Sequence, residues 1–323
     1  MINTFSNLNS RFQKLLNSSA LPLKITLCSE SKLLRKDRCK RIVIPNKHRI
    51  ISLIIRNDQE NYLPSKLFSI KALFHRLESL VLYNTPADKL ESILNRLYHL
   101  PCLFSLTINH KNLSKNFSDI YSIILGLPLL KYCRLLLNSD KELSLPLSSN
   151  LQNNSIQHLI FCDPRLLQEL SVLLSHTPRL NRLVCKTLTC RASYINTGPS
   201  IALSNLTYIC IGIGDMKFDN FEMFIKNISS QLQVLRITTT RDLAYLDADR
   251  WERLITTYMP LLSIFDFQYK EPIDNGRKLR SCYTLTNRFK SPFWIQRQWF
   301  LEIKIDQYER LDGLIIYAIR PSK

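Results

Sequence analysis

The residues that could do chemistry are scattered along the chain. Six histidines stand at His48, His75, His99, His110, His158 and His176, with no H-x-x-x-H or H-E-x-x-H spacing to set two of them on one helix face as metal ligands. The nine cysteines are odd in number and form no pair of C-x-x-C motifs, so neither a zinc site nor a disulfide framework is indicated. Gly212-Ile-Gly214 lacks the third glycine of a dinucleotide loop, and there is no G-x-S-x-G elbow and no Walker loop. These absences predict a chain that is not an enzyme and carries no cofactor. What it does carry is a set of cations and tyrosines: Arg56, Tyr83, Tyr132, Arg134, Arg182, Lys186, Tyr208 and Arg236. Arginine forks onto carboxylates and phosphates, and tyrosine adds a large contact area with a hydrogen-bonding tip. Their chemistry is recognition of an acidic partner.

Those residues matter together only if one scaffold aligns them, and a repeat supplies it. An L-x-x-L-x-L pattern returns about every 26 residues. It runs through Ile50-Leu53-Ile55, Leu77-Leu80-Leu82, Leu103-Leu106-Ile108, Leu130-Cys133-Leu135 and Ile156-Leu159-Phe161. It continues at Leu180-Leu183-Cys185, Leu206-Ile209-Ile211, Leu232-Leu235-Ile237 and Leu262-Phe265-Phe267. This is the signature of a leucine-rich repeat with one strand and one helix per unit. The predicted fold is an α/β, leucine-rich-repeat-like solenoid with parallel strands on the concave face and helices on the convex face. Because strand side chains alternate, burying the motif residues turns the cations and tyrosines above toward a partner, with Asp266 the one acid among them.

Helical periodicity fills the intervals: Ala87 to Tyr98, Phe117 to Leu125, a helix opened by Asp163 with Pro164 just inside, Phe218 to Ile228 and Asp249 to Tyr258. Pro101, Pro128, Pro178 and Pro260 precede the next strand motif, where proline ends the helix and favours extended backbone. The asparagine expected just after each strand recurs only at Asn138, so the array is of the longer, degenerate kind.

The spacing divides the chain into a helix over 1–19, a basic capping segment over 20–49 with a first strand at Arg41–Ile44, the array over 50–270, and an aromatic cap over 271–323. The cap contains Trp294, Trp299 and Phe300, then a predicted β-hairpin of Trp299–Ile305 and Gly313–Ile319 turning near Tyr308–Asp312. Lysine plus arginine number 44 against 26 acids, a formal charge of +18 that favours acidic partners. Nucleic acid is the weaker alternative, since the basic run Lys32–Arg49 has aliphatic rather than aromatic interleaving. With no apolar leader in the first 20 residues and no run of 18 apolar residues, the expectation is no membrane partner and a cytoplasmic or nuclear location.

The two ends carry a resemblance. Phe5 to Leu16 reads F-x-x-L-N-x-R-F-x-x-L-L and resembles the closing helix of an F-box, with Phe5, Leu8, Phe12, Leu15 and Leu16 on one face. Pro292 to Phe300 resembles the tail of a large, expanded family of F-box proteins with degenerate leucine-rich repeats. The resemblance implies a substrate receptor of a cullin-RING ubiquitin ligase, binding a Skp-type adaptor through the five apolar residues and an acidic substrate protein through the repeats. A complete F-box opens with a Leu-Pro-x-Glu-Ile/Leu-like helix. Met1 falls inside the final helix, so the expectation is a truncated F-box whose adaptor-binding half would be completed upstream.

Overall fold

The computed structural model describes residues 21–27, 37–57, 74–110, 117–137, 154–191, 203–272, 285–306 and 314–321. The F-box-like segment with Phe5, Leu8, Phe12, Leu15 and Leu16 lies outside them, as does the turn predicted near Tyr308–Asp312. The chain forms two compact units, 1–155 and 156–323, whose boundary falls within the array read from the repeat.

The first unit holds five parallel strands in sequence order: β1 (Leu23–Leu27), β2 (Ile50–Arg56), β3 (Ser79–Tyr83), β4 (Ser105–His110) and β5 (Tyr132–Leu137). Parallel neighbours require a crossover between them. Two such crossovers contain the helices α1 (Ala87–Leu97) and α2 (Phe117–Leu125). Leu90, Ile93, Leu94 and Leu97 fall on one face of α1 at 3.6-residue spacing, and all are buried. The strand predicted at Arg41–Ile44 is absent. Cys39–Val43 forms a single π-helical turn, and β1 is the first strand instead, paired in parallel with β2.

The second unit orders its strands β6-β7-β8-β9-β10-β12-β11. The strands β6 (His158–Leu166), β7 (Arg182–Thr189), β8 (Tyr208–Ile213), β9 (Val234–Thr240) and β10 (Ile264–Pro272) are parallel. The crossovers between them carry α3 (Leu167–Ser175), α4 (Phe218–Lys226) and α5 (Ala248–Tyr258). A short α6 (Pro292–Gln296) precedes an antiparallel hairpin of β11 (Trp299–Asp306) and β12 (Leu314–Pro321). It is β12, the later strand, that pairs with β10, so β11 ends the sheet.

Every one of the nine motifs delivers a strand, and within each unit its last two apolar residues stand in register with those of the neighbouring repeats. Leu53, Leu80, Leu106 and Cys133 form one column of the first unit, and Ile55, Leu82, Ile108 and Leu135 the next. In the second unit Leu159, Leu183, Ile209, Leu235 and Phe265 align, beside Phe161, Cys185, Ile211, Ile237 and Phe267. All eighteen residues in these columns are buried. Each full burial of such a side chain is worth about 1.5–3 kcal/mol, so the columns are the principal cohesive term.

The turn before each strand is also repeated. Glu78 O accepts from the backbone N–H groups of Phe104 and Ser105, and Phe104 O does the same for Lys131 and Tyr132. Gln157, Asn181, Thr207 and Gln233 repeat the arrangement in the second unit. Side chains add rungs from one repeat to the next: Asn154 Nδ2 donates to Leu125 O, Asn205 Nδ2 to Pro178 O and Ser229 Oγ to Tyr258 O.

The helix predicted to open at Asp163 starts later. Asp163 and Pro164 belong to β6, where Pro164 pairs with Thr187 beyond a bulge, and α3 begins at Leu167. The Asp163 carboxylate accepts from the Arg165 guanidinium instead of capping backbone N–H groups, and both residues are buried. Arg165 also lies 3.9 Å from Glu169 and 5.4 Å from the Phe161 ring centroid.

A second bulge in β7 explains the glycine pair. A Cβ on Gly212 would stand 2.1 Å from Lys186 O, inside the backbone of the neighbouring strand. Gly212 is a close-approach residue, which accounts for a glycine after the β8 core without any phosphate loop. Gly212→Ala is expected to cost about 2–4 kcal/mol of stability in a urea titration, against under about 1 kcal/mol for Gly126→Ala, whose Cβ would meet Ser122 O at 3.3 Å. Arg165→Met is expected to cost about 3–5 kcal/mol, because it takes the guanidinium away from the buried Asp163 carboxylate, and the double change with Asp163→Asn should recover most of that loss. Equal stability of Arg165→Met and the unchanged chain would refute the buried-pair account.

Candidate functional site

Alternation along the strands places all eight predicted partner-binding residues on the side opposite the buried columns. Arg56, Arg134, Arg182, Lys186 and Arg236 are exposed, while Tyr83, Tyr132 and Tyr208 are half-buried. Each unit arranges its own share.

In the first unit Arg56 on β2 and Tyr83 on β3 are direct partners in register, with the Arg56 guanidinium carbon 4.7 Å from the ring centroid. Tyr132 and Arg134 stand two apart on β5, opposite Ser105 and Thr107 respectively. The register therefore sets the Arg56–Tyr83 pair at the far end of its strands, away from Tyr132.

The second unit makes the tighter group. Arg182 on β7 is in register with Tyr208 on β8, and its guanidinium lies 3.7 Å from the ring centroid. Arg236 on β9 approaches the same ring to 5.9 Å, although its direct register partner is Cys210. Beside it on β10, Asp266 Oδ2 is 3.9 Å from Arg236 Nε. Among the described residues no carboxylate lies within ion-pair distance of Arg182 or Lys186, so the face keeps net positive charge. Lys186 sits apart at the β7 bulge, its carbonyl turned against Gly212.

Tyr208 is thus a ring clasped by two guanidiniums, each contact worth about 0.5–1 kcal/mol at an exposed site. Stacking fixes the rotamers of long side chains that would otherwise lose entropy on binding. A guanidinium can fork onto a bidentate acceptor, and Arg236 already has Asp266 Oδ2 at 3.9 Å from its Nε.

Nothing in this group is an activated nucleophile. Burial pushes the Cys210 thiol above its ordinary value, although Arg236, Tyr208 and Arg182 act in the other direction. In the first unit, burial holds His110 below the ordinary imidazole value. Among the described residues no group of three or more His, Cys, Asp or Glu is placed to hold a metal, and no helix is long and apolar enough to cross a membrane.

No family model and no curated protein matches this chain. Its surface is accordingly its own best witness. Sequence alternation located the face. It did not show that Tyr208 serves two arginines, since a diagonal contact depends on side-chain direction across three strands. The buried Asp163–Arg165 pair, with half-buried Glu169 beside it, was missed as well, because Pro164 disguised a bulged strand as a helix start.

Burial pushes both Cys133 and Cys185 up to about 12. At pH 8 both should stay unmodified by iodoacetamide in the folded chain, while half-buried Cys102 and Cys162 are labelled before them. Peptide mapping by mass spectrometry reads this directly, and early labelling of Cys133 or Cys185 would contradict the column packing.

Proposed function

We propose that the chain is a non-enzymatic, leucine-rich-repeat-type receptor that takes an acidic protein segment on the strand face, in the manner of an F-box substrate receptor. The solenoid reading is supported by nine motifs that each yield a strand, with the motif residues buried and in register within each unit. The observation that carries the binding reading is the Arg182–Tyr208–Arg236 group, two exposed cations held ready against one aromatic ring. An extended acidic segment crossing the strands would meet Arg182 first and Arg236 second, while Asp266 would reject acid at the far side. The ligase role rests on the F-x-x-L-N-x-R-F-x-x-L-L resemblance at Phe5–Leu16, and it would place the protein in the cytoplasm or nucleus.

Affinity capture from cells tests the two parts separately. A Skp-type adaptor and a cullin should be recovered with a form extended N-terminally to complete the F-box around Phe5, Leu8, Phe12, Leu15 and Leu16, and not with the unextended chain; failure with both leaves a repeat scaffold without a ligase link. For the face itself, Arg182→Ala and Arg236→Ala should each weaken binding to captured acidic segments about tenfold or more, with Arg253→Ala as an unrelated surface control. Binding that ignores both changes refutes the site. A nucleic-acid ligand would betray itself by a steep fall in affinity, about a thousandfold between 50 and 200 mM salt.

A further inference from the structure

The last strand of the second unit leaves a piece of core unfinished. Tyr269 on β10, Tyr317 on β12 and Ile303 on β11 stand in one register row. Tyr269 and Tyr317 are buried, yet Ile303 at the end of that row is 42 % exposed. The preceding row runs through Phe267, Ile319 and Leu301, the last of them only half-buried. Nearby, Ile295 of α6 is 53 % exposed. Among the described residues no strand pairs with the outer edge of β11. An exposed apolar row beside unpaired backbone groups is a template for another strand.

The charges on the opposite face of β11 indicate which strand. Glu302 and Lys304 flank Ile303 and point to the other side of the sheet, where they form an exposed ion pair at 3.2 Å. When two copies of a strand pair antiparallel about a two-fold axis at one residue, that residue meets itself and its two neighbours exchange partners. An axis at Ile303 sets Ile303 against Ile303, completing the apolar row. The same axis sets Glu302 of each copy opposite Lys304 of the other. An axis at Glu302 would oppose two acids, and one at Lys304 two cations. The edge is self-complementary in one register only among these three.

We infer that β11 is a homodimer contact: two copies of this chain join antiparallel through Trp299–Asp306, centred on Ile303, with Glu302 and Lys304 exchanged across the axis. The contact is independent of the proposed receptor role. It closes the row that Tyr269 and Tyr317 begin and pairs the backbone groups of the sheet edge.

Charge reversal on the full chain decides the matter, read by sedimentation velocity from about 1 to 100 μM. The unchanged chain should show a concentration-dependent dimer. Glu302→Lys alone brings four cations together and Lys304→Glu alone four acids, so each should weaken the dimer about tenfold or more. Mixing the two single variants in equal amounts should restore dimer, since every facing pair is then opposite in charge. The double variant carrying both reversals should also dimerise. This recovery rules out misfolding as the cause of loss in the single variants. A chain that stays monomeric across the range, or a dimer that neither reversal weakens, overturns the inference.

Discussion

Register is the constraint from which the rest of this structure follows. In a parallel ladder a slip of one residue would turn every buried motif side chain to solvent. The columns that end in Cys133, Leu135, Phe265 and Phe267 hold each strand against such a slip. Once they fix the inner face, the outer face has no freedom left. Arg56 must fall beside Tyr83, and Arg182 beside Tyr208, because their inward neighbours are already paired. The binding face is thus a by-product of packing that selection could decorate without disturbing the core.

The irregularities serve the same constraint. The bulges at Phe161/Pro164 and Cys185/Leu188 shift the outgoing ends of β6 and β7 while the incoming columns stay aligned. Gly212 is the local accommodation for the second bulge, and the buried Asp163–Arg165 pair starts within the first, at Asp163. Burying such a pair is a weak source of stability, and it holds one arrangement by making the alternatives costly. Beyond β10 the chain changes tactics. β12 pairs antiparallel, and the apolar layer is finished by the rings of Phe265, Phe289, Phe293, Trp294 and Trp299.

Much of this was legible in the sequence, for identifiable reasons. Helices α1, α2, α4 and α5 lie within a residue or two of their periodic segments, since a one-sided apolar stripe has few other uses. The hairpin strands were visible as apolar runs near Trp299 and Leu314. Reading failed where a local signal had a non-local cause. Arg41–Ile44 has the β-branched look of a strand yet lies in a π-helical turn, whereas β1 carries Lys24 and lacks the repeat motif. At the candidate site, alternation tells which way Tyr208 points but not that Arg236 leans across to it. His176, by contrast, behaves as a helix-end histidine should, with Nδ1 2.9 Å from Val172 O.

The aromatic finish of the second unit has a spectroscopic consequence. The chain has three tryptophans, Trp251, Trp294 and Trp299, and all are fully buried in that unit. Indole emission therefore follows the unfolding of 156–323 and is blind to the unit that precedes it, whereas circular dichroism sums both. Any gap between the two melting curves measures how far the units lose structure independently, with no label added to either.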